Sequence, residues 1–256
     1  MLDKQQILQT LGFDSFTSMQ EEMAKAGSSR GGIVLLSPTG SGKTLGYLLP
    51  AVDRIDVGLD TLQVVVVTPT RELAQQSEEV LKSMKIGIRS LALYGGRPAM
   101  EEHRKIKEVK PQIVFATPGR LNDHLNKENL NARGVSVLII DEFDKCLELG
   151  FQDEMNDLLN HFSNLYGCWL MSATDAEEIP QFMNRLFKTY HKIDYLSIAE
   201  SQTESRLQVR LVRSEKKDKL ESLARLLMLI KGEPTIVFVS YRESVERVGK
   251  WLREQG

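Results

Sequence analysis

Ile33-Val34-Leu35-Leu36-Ser37-Pro38-Thr39-Gly40-Ser41-Gly42-Lys43-Thr44 passes from an unbroken apolar tetrapeptide straight into a glycine-rich turn. The apolar run predicts a buried strand, and the turn predicts that a helix opens behind it. Such a junction exposes clustered backbone N–H groups, to which the helix dipole adds partial positive charge. Phosphate oxygens fit there. Gly40 and Gly42 allow a backbone path and a close approach that side chains block, Lys43 supplies a mobile ammonium for β and γ phosphates, and the Thr44 hydroxyl suits Mg²⁺. The usual spacing G-x-x-x-x-G-K-[ST] is kept, with Ser37 at the first glycine position and Pro38, which has no N–H, behind it. Donors from Thr39 through Ser41 to Thr44 remain. The stretch specifies a nucleoside triphosphate as ligand.

On either side of it, short apolar runs alternate with longer helical patterns. The expected strands are Ile33 to Leu36, Val64 to Thr68, Ile88 to Leu93, Ile113 to Ala116, Val137 to Ile140 and Cys168 to Ser172. Segments such as Glu72 to Met84 and Met100 to Val109 carry apolar residues at helical spacing. This alternation predicts an α/β fold, a parallel sheet with helices on both faces. Ligands gather at the carboxyl ends of the strands in such sheets. A second register begins after Ser197: a polar stretch to Ser205, a strand from Leu207 to Val212, a helix from Lys216 to Ile230, a strand from Thr235 to Val239 and a helix near Arg242. The expected division is a first domain over 1–197, a linker over 198–206, and over 207–256 the start of a second α/β domain, too small to close a core of its own.

Composition narrows the classes. Hydrophobic residues at 41%, charged residues at 27% and a formal charge of -2 are ordinary for a soluble globular chain and exclude a globally basic nucleic-acid coat. Any nucleic-acid contact must be local. Cys146 and Cys168 stand without a second pair or a histidine cluster, so the reading is reduced thiols rather than a disulfide framework or a zinc site. No stretch approaches the roughly 18 apolar residues of a membrane span, and Met1 to Thr10 shows no basic region followed by an apolar stretch; the expectation is a cytoplasmic monomer that contacts no membrane.

The residues that follow each strand carry the chemistry. After Ile139-Ile140 comes Asp141-Glu142-Phe143-Asp144, an acidic pair at the end of a buried strand. In a chain with a phosphate loop, Asp141 is placed to hold Mg²⁺ and Glu142 to orient and deprotonate the attacking water. After Val67 comes Thr68-Pro69-Thr70-Arg71-Glu72-Leu73, and after Phe115 comes Ala116-Thr117-Pro118-Gly119-Arg120. Each opens a helix with hydroxyls and an arginine. Taken alone, each is a plain helix cap as readily as a site for a sugar-phosphate backbone. Tyr94-Gly95-Gly96 and Ser172-Ala173-Thr174 say less by themselves, though the hydroxyls of the latter are placed to bridge to the acidic loop.

In their order along the chain these pieces resemble one family, the DEAD-box RNA helicases. Gly12 to Gln20 is similar to the family's Q motif; the resemblance implies that Gln20 hydrogen-bonds the adenine edge and Phe13 packs against the base, giving ATP preference. Ser37 to Thr44 resembles motif I, Thr68 to Leu73 motif Ia, Gly95-Gly96 the paired-glycine motif, and Thr117 to Arg120 motif Ib. Asp141 to Asp144 resembles motif II, with Gly150-Phe151 matching its extension, and Ser172 to Thr174 motif III. Thr235 to Val248 is similar to the opening of a second RecA-like domain around motif IV. The resemblance implies a RecA-like fold, ATP and Mg²⁺ as cofactors, catalysis by Lys43, Asp141 and Glu142, and metal ligation by Thr44 and Asp141. It further implies sequence-tolerant backbone contacts to RNA from Pro69, Thr70, Arg71, Gly95, Gly96, Thr117, Pro118, Gly119 and Arg120. Asp144, Ser172 and Thr174 would couple ATP to RNA.

The sequence departs from the family pattern at four places. Ser37 replaces the usual alanine of motif I; Phe16 and Ser18 replace prolines of the Q motif; Phe143 replaces a small alanine, which predicts that it fills space against motif III or a neighbouring helix. The sequence given stops at Gly256, before motifs V and VI, so the expectation is weak turnover by these residues alone. The leading function is the ATP-binding lobe of an RNA-dependent ATPase that separates short duplexes. The alternatives are a DNA-directed P-loop helicase and a non-catalytic RNA-binding scaffold.

Overall fold

Four valines in a row, Val64–Val67, have no polar neighbour to turn toward solvent, and the chain buries all four completely. That requires a layer on each side of the strand. The computed structural model, which describes residues 3–96, 98–162, 165–196, 210–214, 217–230 and 232–255, supplies both. Seven parallel strands, β1 (Gly31–Leu36), β2 (Val64–Val67), β3 (Ser90–Leu93), β4 (Ile113–Ala116), β5 (Val137–Ile140), β6 (Gly167–Ser172) and β7 (Tyr190–Asp194), form one sheet in the order β3-β4-β2-β5-β6-β1-β7. Alternate residues of each strand enter opposite cores. Val34, Leu36, Val65, Val67, Leu138 and Ile140 pack on one face, and Ile33, Leu35, Val64, Val66, Val137 and Ile139 on the other. Each such side chain contributes about 1.5–3 kcal/mol by leaving water. The expected α/β sheet flanked on both faces is the observed fold.

The helices are α1 (Lys4–Leu11), α2 (Ser18–Gly27), α3 (Lys43–Val52), α4 (Arg71–Ser83), α5 (Ala99–Val109), α6 (Pro118–Asn126), α7 (Phe143–Glu148), α8 (Gln152–Leu159) and α9 (Ile179–Asn184). α2 sits close on α3: a Cβ placed on Gly27 would fall 2.6 Å from the Pro50 Cβ, so only glycine allows the approach. Both cysteines are free thiols in the interior, Cys146 on α7 and Cys168 on β6, and burial pushes each above the ordinary thiol range.

One strand is not among those expected. β7 reads Tyr-His-Lys-Ile-Asp, and of its five residues only Ile193 is buried. It is an edge strand bonded to β1 alone, so it needs no apolar run.

Contacts divide the chain into two units, Met1–Glu204 and Ser205–Gly256. The linker expected over 198–206 lies outside the described residues, as does the start of the strand expected at Leu207. In the second unit the helices Leu220–Leu229 and Arg242–Gln255 form, and Arg247 pairs with Asp218. The strand expected over Thr235 to Val239 does not form. Its Ile236 and Phe238 are 80% and 90% exposed, and no described residue of this unit is buried. The physical reason is that a strand needs a neighbour for its N–H and C=O groups, and this unit offers none among the described residues. No helix among the described residues is long and apolar enough to cross a membrane.

Candidate active site

The strand order sorts the candidate loops into two groups at the carboxyl edge of the sheet. β3, β4 and β2 are adjacent and end in Gly95-Gly96, Thr117 to Arg120, and Thr68 to Arg71. β5, β6 and β1 are adjacent and end in Asp141-Glu142, Ser172 to Thr174, and Ser37 to Thr44. The two groups meet where β2 pairs with β5.

In the second group, Gly40 and Gly42 take φ of 78° and 86°, the left-handed region that favours glycine. Gly42 is doubly constrained, because a Cβ there would also stand 2.6 Å from the Gln20 Nε2. Gly42 caps α3 without a side-chain acceptor, so the amides of the first turn are left for an anion. Lys43 folds over the loop, its Nζ donating to the carbonyls of Ser37 at 2.7 Å and Pro38 at 2.9 Å. Burial lowers its pKa, opposed by the charges of Asp141, Glu142 and Asp144. Ser37 donates to the Ser41 hydroxyl at 2.7 Å. The small residue at the first loop position thereby closes the turn from within.

Gln20 is tied to the protein at both ends of its amide. Its Oε1 accepts from the Thr17 N–H at 3.0 Å, completing a capping box on α2, and its Nε2 donates to the Gly42 carbonyl at 3.2 Å. An amide has a further lone pair and a further hydrogen, so a base edge is still a possible partner. Phe13 is 54% exposed. It lines, with Gln20, Thr39, Gly40, Gly42, Lys43, Thr44, Asp141 and Glu142, a cleft of about 540 Å³. A hollow of about 1070 Å³ along α2 and α3 is larger, but neither the loop nor Asp141 borders it.

Asp141 is buried at the head of this cleft. The Glu142 N–H donates to its Oδ1 at 3.0 Å and the Tyr47 hydroxyl to its Oδ2 at 3.1 Å. Burial pushes its carboxyl up to about 6 against the pull of Lys43. Glu142 itself takes a left-handed backbone, φ 49°, a conformation costly for a side chain with a Cβ and found at functional turns. The Thr174 hydroxyl donates to Asp144 at 3.2 Å, while Ser172 donates to the Thr174 carbonyl at 2.6 Å and so closes its own turn. Phe143 is fully buried, its ring 5.3 Å from that of Phe182 on α9. It fills space against a neighbouring helix.

The residues fit a triphosphate with its metal. Loop amides, a lysine and a buried carboxylate that a cation would relieve converge on one cleft. No cluster of three or more metal-ligating His, Cys, Asp or Glu occurs among the described residues. Mg²⁺ is commonly held by one or two carboxylates plus phosphates and water, and the carboxylates of Asp141 and Glu142 both line this cleft.

In the first group, Thr70 caps α4 by accepting from the Leu73 N–H, and Arg71 pairs with Glu72 in solvent. A Cβ on Gly96 would lie 4.0 Å from the Arg71 Nη1, so these two loops are neighbours. α6 starts at Pro118 with no side-chain cap, leaving N–H groups at its first turn. Arg120 is turned inward, its side chain 15% exposed and its Nε 2.6 Å from Glu102.

The DEAD/DEAH box helicase model matches residues 17–182, which takes in every loop of both groups. The chain belongs to the DEAD/DEAH box helicase family. It is 33% identical over 249 residues to the ATP-dependent RNA helicase CshA of Listeria monocytogenes, covering 96% of this chain and 47% of the relative. With the DEAD-box ATP-dependent RNA helicase CshA of Bacillus subtilis the identity is 30% over 258 residues, covering 99% and 51%. The chain thus spans about half the length of these curated relatives. Among solved structures, a DEAD box protein from Methanococcus jannaschii superposes with a TM-score of 0.69 at 26% identity, over 98% of this chain and 67% of that one. The DEAD-box helicase Mss116 bound to single-stranded RNA and UDP-BeF superposes with a TM-score of 0.67 at 27% identity, over 75% and 43%. The RecA-like sheet is therefore a DEAD-box family sheet.

Sequence reasoning did not single out Tyr47, Glu102 or His124. Tyr47 lies inside an apolar helix and reads as core, and Glu102 lies in a charged one and reads as solvated face. Only the tertiary contacts distinguish them.

Proposed function

We propose that this DEAD-box chain carries the ATP-binding lobe of an RNA-dependent ATPase that separates short duplexes. The observation that carries the reading is the single cleft in which Phe13, Gln20, the Ser37–Thr44 loop and Asp141-Glu142 meet. In it, Lys43 leaves the loop carbonyls for the β and γ phosphates, Gln20 and Phe13 receive the base, and the amides of α3 hold phosphate oxygens. Thr44 and Asp141 would hold Mg²⁺, which when bound neutralises charge on the transferring phosphoryl group. Glu142 orients the attacking water and accepts its proton. On the other half of the sheet edge, Pro69, Thr70, Arg71, Gly95, Gly96, Thr117, Pro118, Gly119 and Arg120 face the sugar-phosphate backbone of RNA, and contacts of that kind are sequence-tolerant and salt-sensitive. Within the nucleotide half, the bond from Thr174 to Asp144 ties the acidic loop to the end of β6, and Asp144, Ser172 and Thr174 couple ATP to RNA.

The test is ATP turnover by the chain with and without single-stranded RNA, beside a titration with a fluorescent ATP analogue. Lys43→Ala is expected to abolish nucleotide binding, and Glu142→Gln to keep binding but lower turnover about 100-fold or more, the scale of a general base. Stimulation by DNA and not by RNA would replace RNA with DNA as the substrate. RNA binding that ignores nucleotide, in a chain that does not turn ATP over, would make it a scaffold.

A further inference from the structure

Glu102 is the least exposed carboxylate among the described residues, at 3%, and it lies outside the nucleotide cleft. Its helix, α5, reads Ala-Met-Glu-Glu-His-Arg-Lys-Ile-Lys-Glu-Val, yet this one acid is turned into the protein. Three donors meet it there. Its Oε2 accepts from the Arg120 Nε at 2.6 Å and from the His124 Nε2 at 2.9 Å, and its Oε1 accepts from the Tyr94 N–H at 3.2 Å. His124 is fully buried and held from behind, its Nδ1 accepting from the Asn129 Nδ2 at 3.2 Å. That contact leaves the imidazole proton on Nε2, where it points at Glu102. Asn129 in turn meets His103, so the chain of contacts returns to α5.

A carboxylate is costly to bury unless its oxygens are satisfied, and a buried ion pair adds little stability over apolar packing of the same volume. The consequence of this network is placement. Tyr94 immediately precedes Gly95-Gly96 at the end of β3, and Arg120 stands in the first turn of α6 at the end of β4. One side chain from a third element therefore fixes two neighbouring loops relative to each other. Gln75 of α4 adds a tie, donating to the Tyr94 hydroxyl at 2.6 Å.

We propose that Glu102 is the positioning residue of the RNA-facing edge: it holds Arg120 and the Gly95-Gly96 turn in the spacing that successive phosphates require. This rests on the reading of the β3-β4-β2 edge as an RNA surface. Glu102 touches no RNA itself and acts through Arg120 and the Tyr94 amide.

The full chain is titrated into a fluorescein-labelled single-stranded oligouridylate, with a non-hydrolysable ATP analogue, at several salt concentrations, and a fluorescent ADP analogue is titrated in parallel. Glu102→Ala is expected to weaken oligouridylate binding about tenfold, the scale of a lost charged hydrogen bond. The slope of log K against log salt is expected to fall by about 0.7, the signature of one lost phosphate contact on a single strand. Affinity for the ADP analogue should not change. Glu102→Gln, which keeps the shape and an acceptor for the Tyr94 N–H, should recover part of the loss, and it carries the same comparison if Glu102→Ala does not fold. Unchanged oligouridylate affinity and slope in the variants would overturn the proposal, as would an equal fall in affinity for both ligands. A wild-type chain that binds no oligouridylate would remove the RNA surface and this proposal with it, a result visible before any variant is measured.

Discussion

Asp141 needs to be charged to hold a cation, and its surroundings oppose the charge. Burial raises its carboxyl to about 6, and the hydroxyl of Tyr47, itself fully buried and bonded also to Ser77, is one of the donors that limit the rise. The sign follows. A carboxyl whose pKa is higher folded than unfolded binds its proton more tightly when folded, so its stabilising contribution is greatest in acid and is lost as pH rises through about 6. Tyr47→Phe removes a donor to the charged form. In EDTA, urea unfolding should therefore show a cost of about 1.5–3 kcal/mol at pH 8, where Asp141 is ionised, and a smaller one at pH 5. Equal costs at both values would mean that the phenol does not support the carboxylate. Lys43 and Asp141 were legible in the sequence because a phosphate loop and an acidic pair at strand ends are local patterns. Tyr47 was not: within Thr44-Leu45-Gly46-Tyr47-Leu48-Leu49 its ring is an ordinary core residue, and only its contacts with Asp141 at the end of β5 and Ser77 of α4 give its hydroxyl a task.

At the scale of elements, α7 is anchored by Phe143 and Cys146, both fully buried in the core on its face of the sheet. Phe143 follows Glu142 directly, and its ring is wedged against Phe182 of α9, in a chain where Asp141, Glu142 and Asp144 all hang on the position of this short helix. Phe143→Ala should cost about 3–5 kcal/mol in thermal or urea unfolding, since the cavity left behind cannot be filled by a neighbour on a six-residue helix. A cost below about 1 kcal/mol would show that the site collapses freely. The elements themselves were readable to the degree that burial imposed a pattern. β2, β4 and β5 are buried on both faces and appear as continuous apolar runs, whereas β7 at the sheet edge buries only Ile193 and leaves no pattern to read. The segment from Thr235 to Val239 shows the converse. Its residues have the composition of a strand, and without a partner to bond they do not become one.

Across the whole molecule, stability is unevenly distributed between the two units. The first has apolar cores on both faces of its sheet, and the second has no buried residue among those described. Backbone amides exchange through local opening where few contacts protect them. Hydrogen exchange followed by mass spectrometry should find Val64–Val67 and Val137–Ile140 the slowest segments. Leu220–Leu229 and Arg242–Gln255 should exchange fastest among the helices. Comparable protection in both units would contradict this distribution.

The two interior thiols have a practical consequence for measuring motion at the sheet edge. Cys146 and Cys168 are the chain's only cysteines, both sealed in the core with burial holding the thiol form. A maleimide dye needs an accessible thiolate and finds none on the native surface. A dye attached at Met100→Cys, a position 81% exposed on α5, would then report from one known place without any native cysteine having to be replaced.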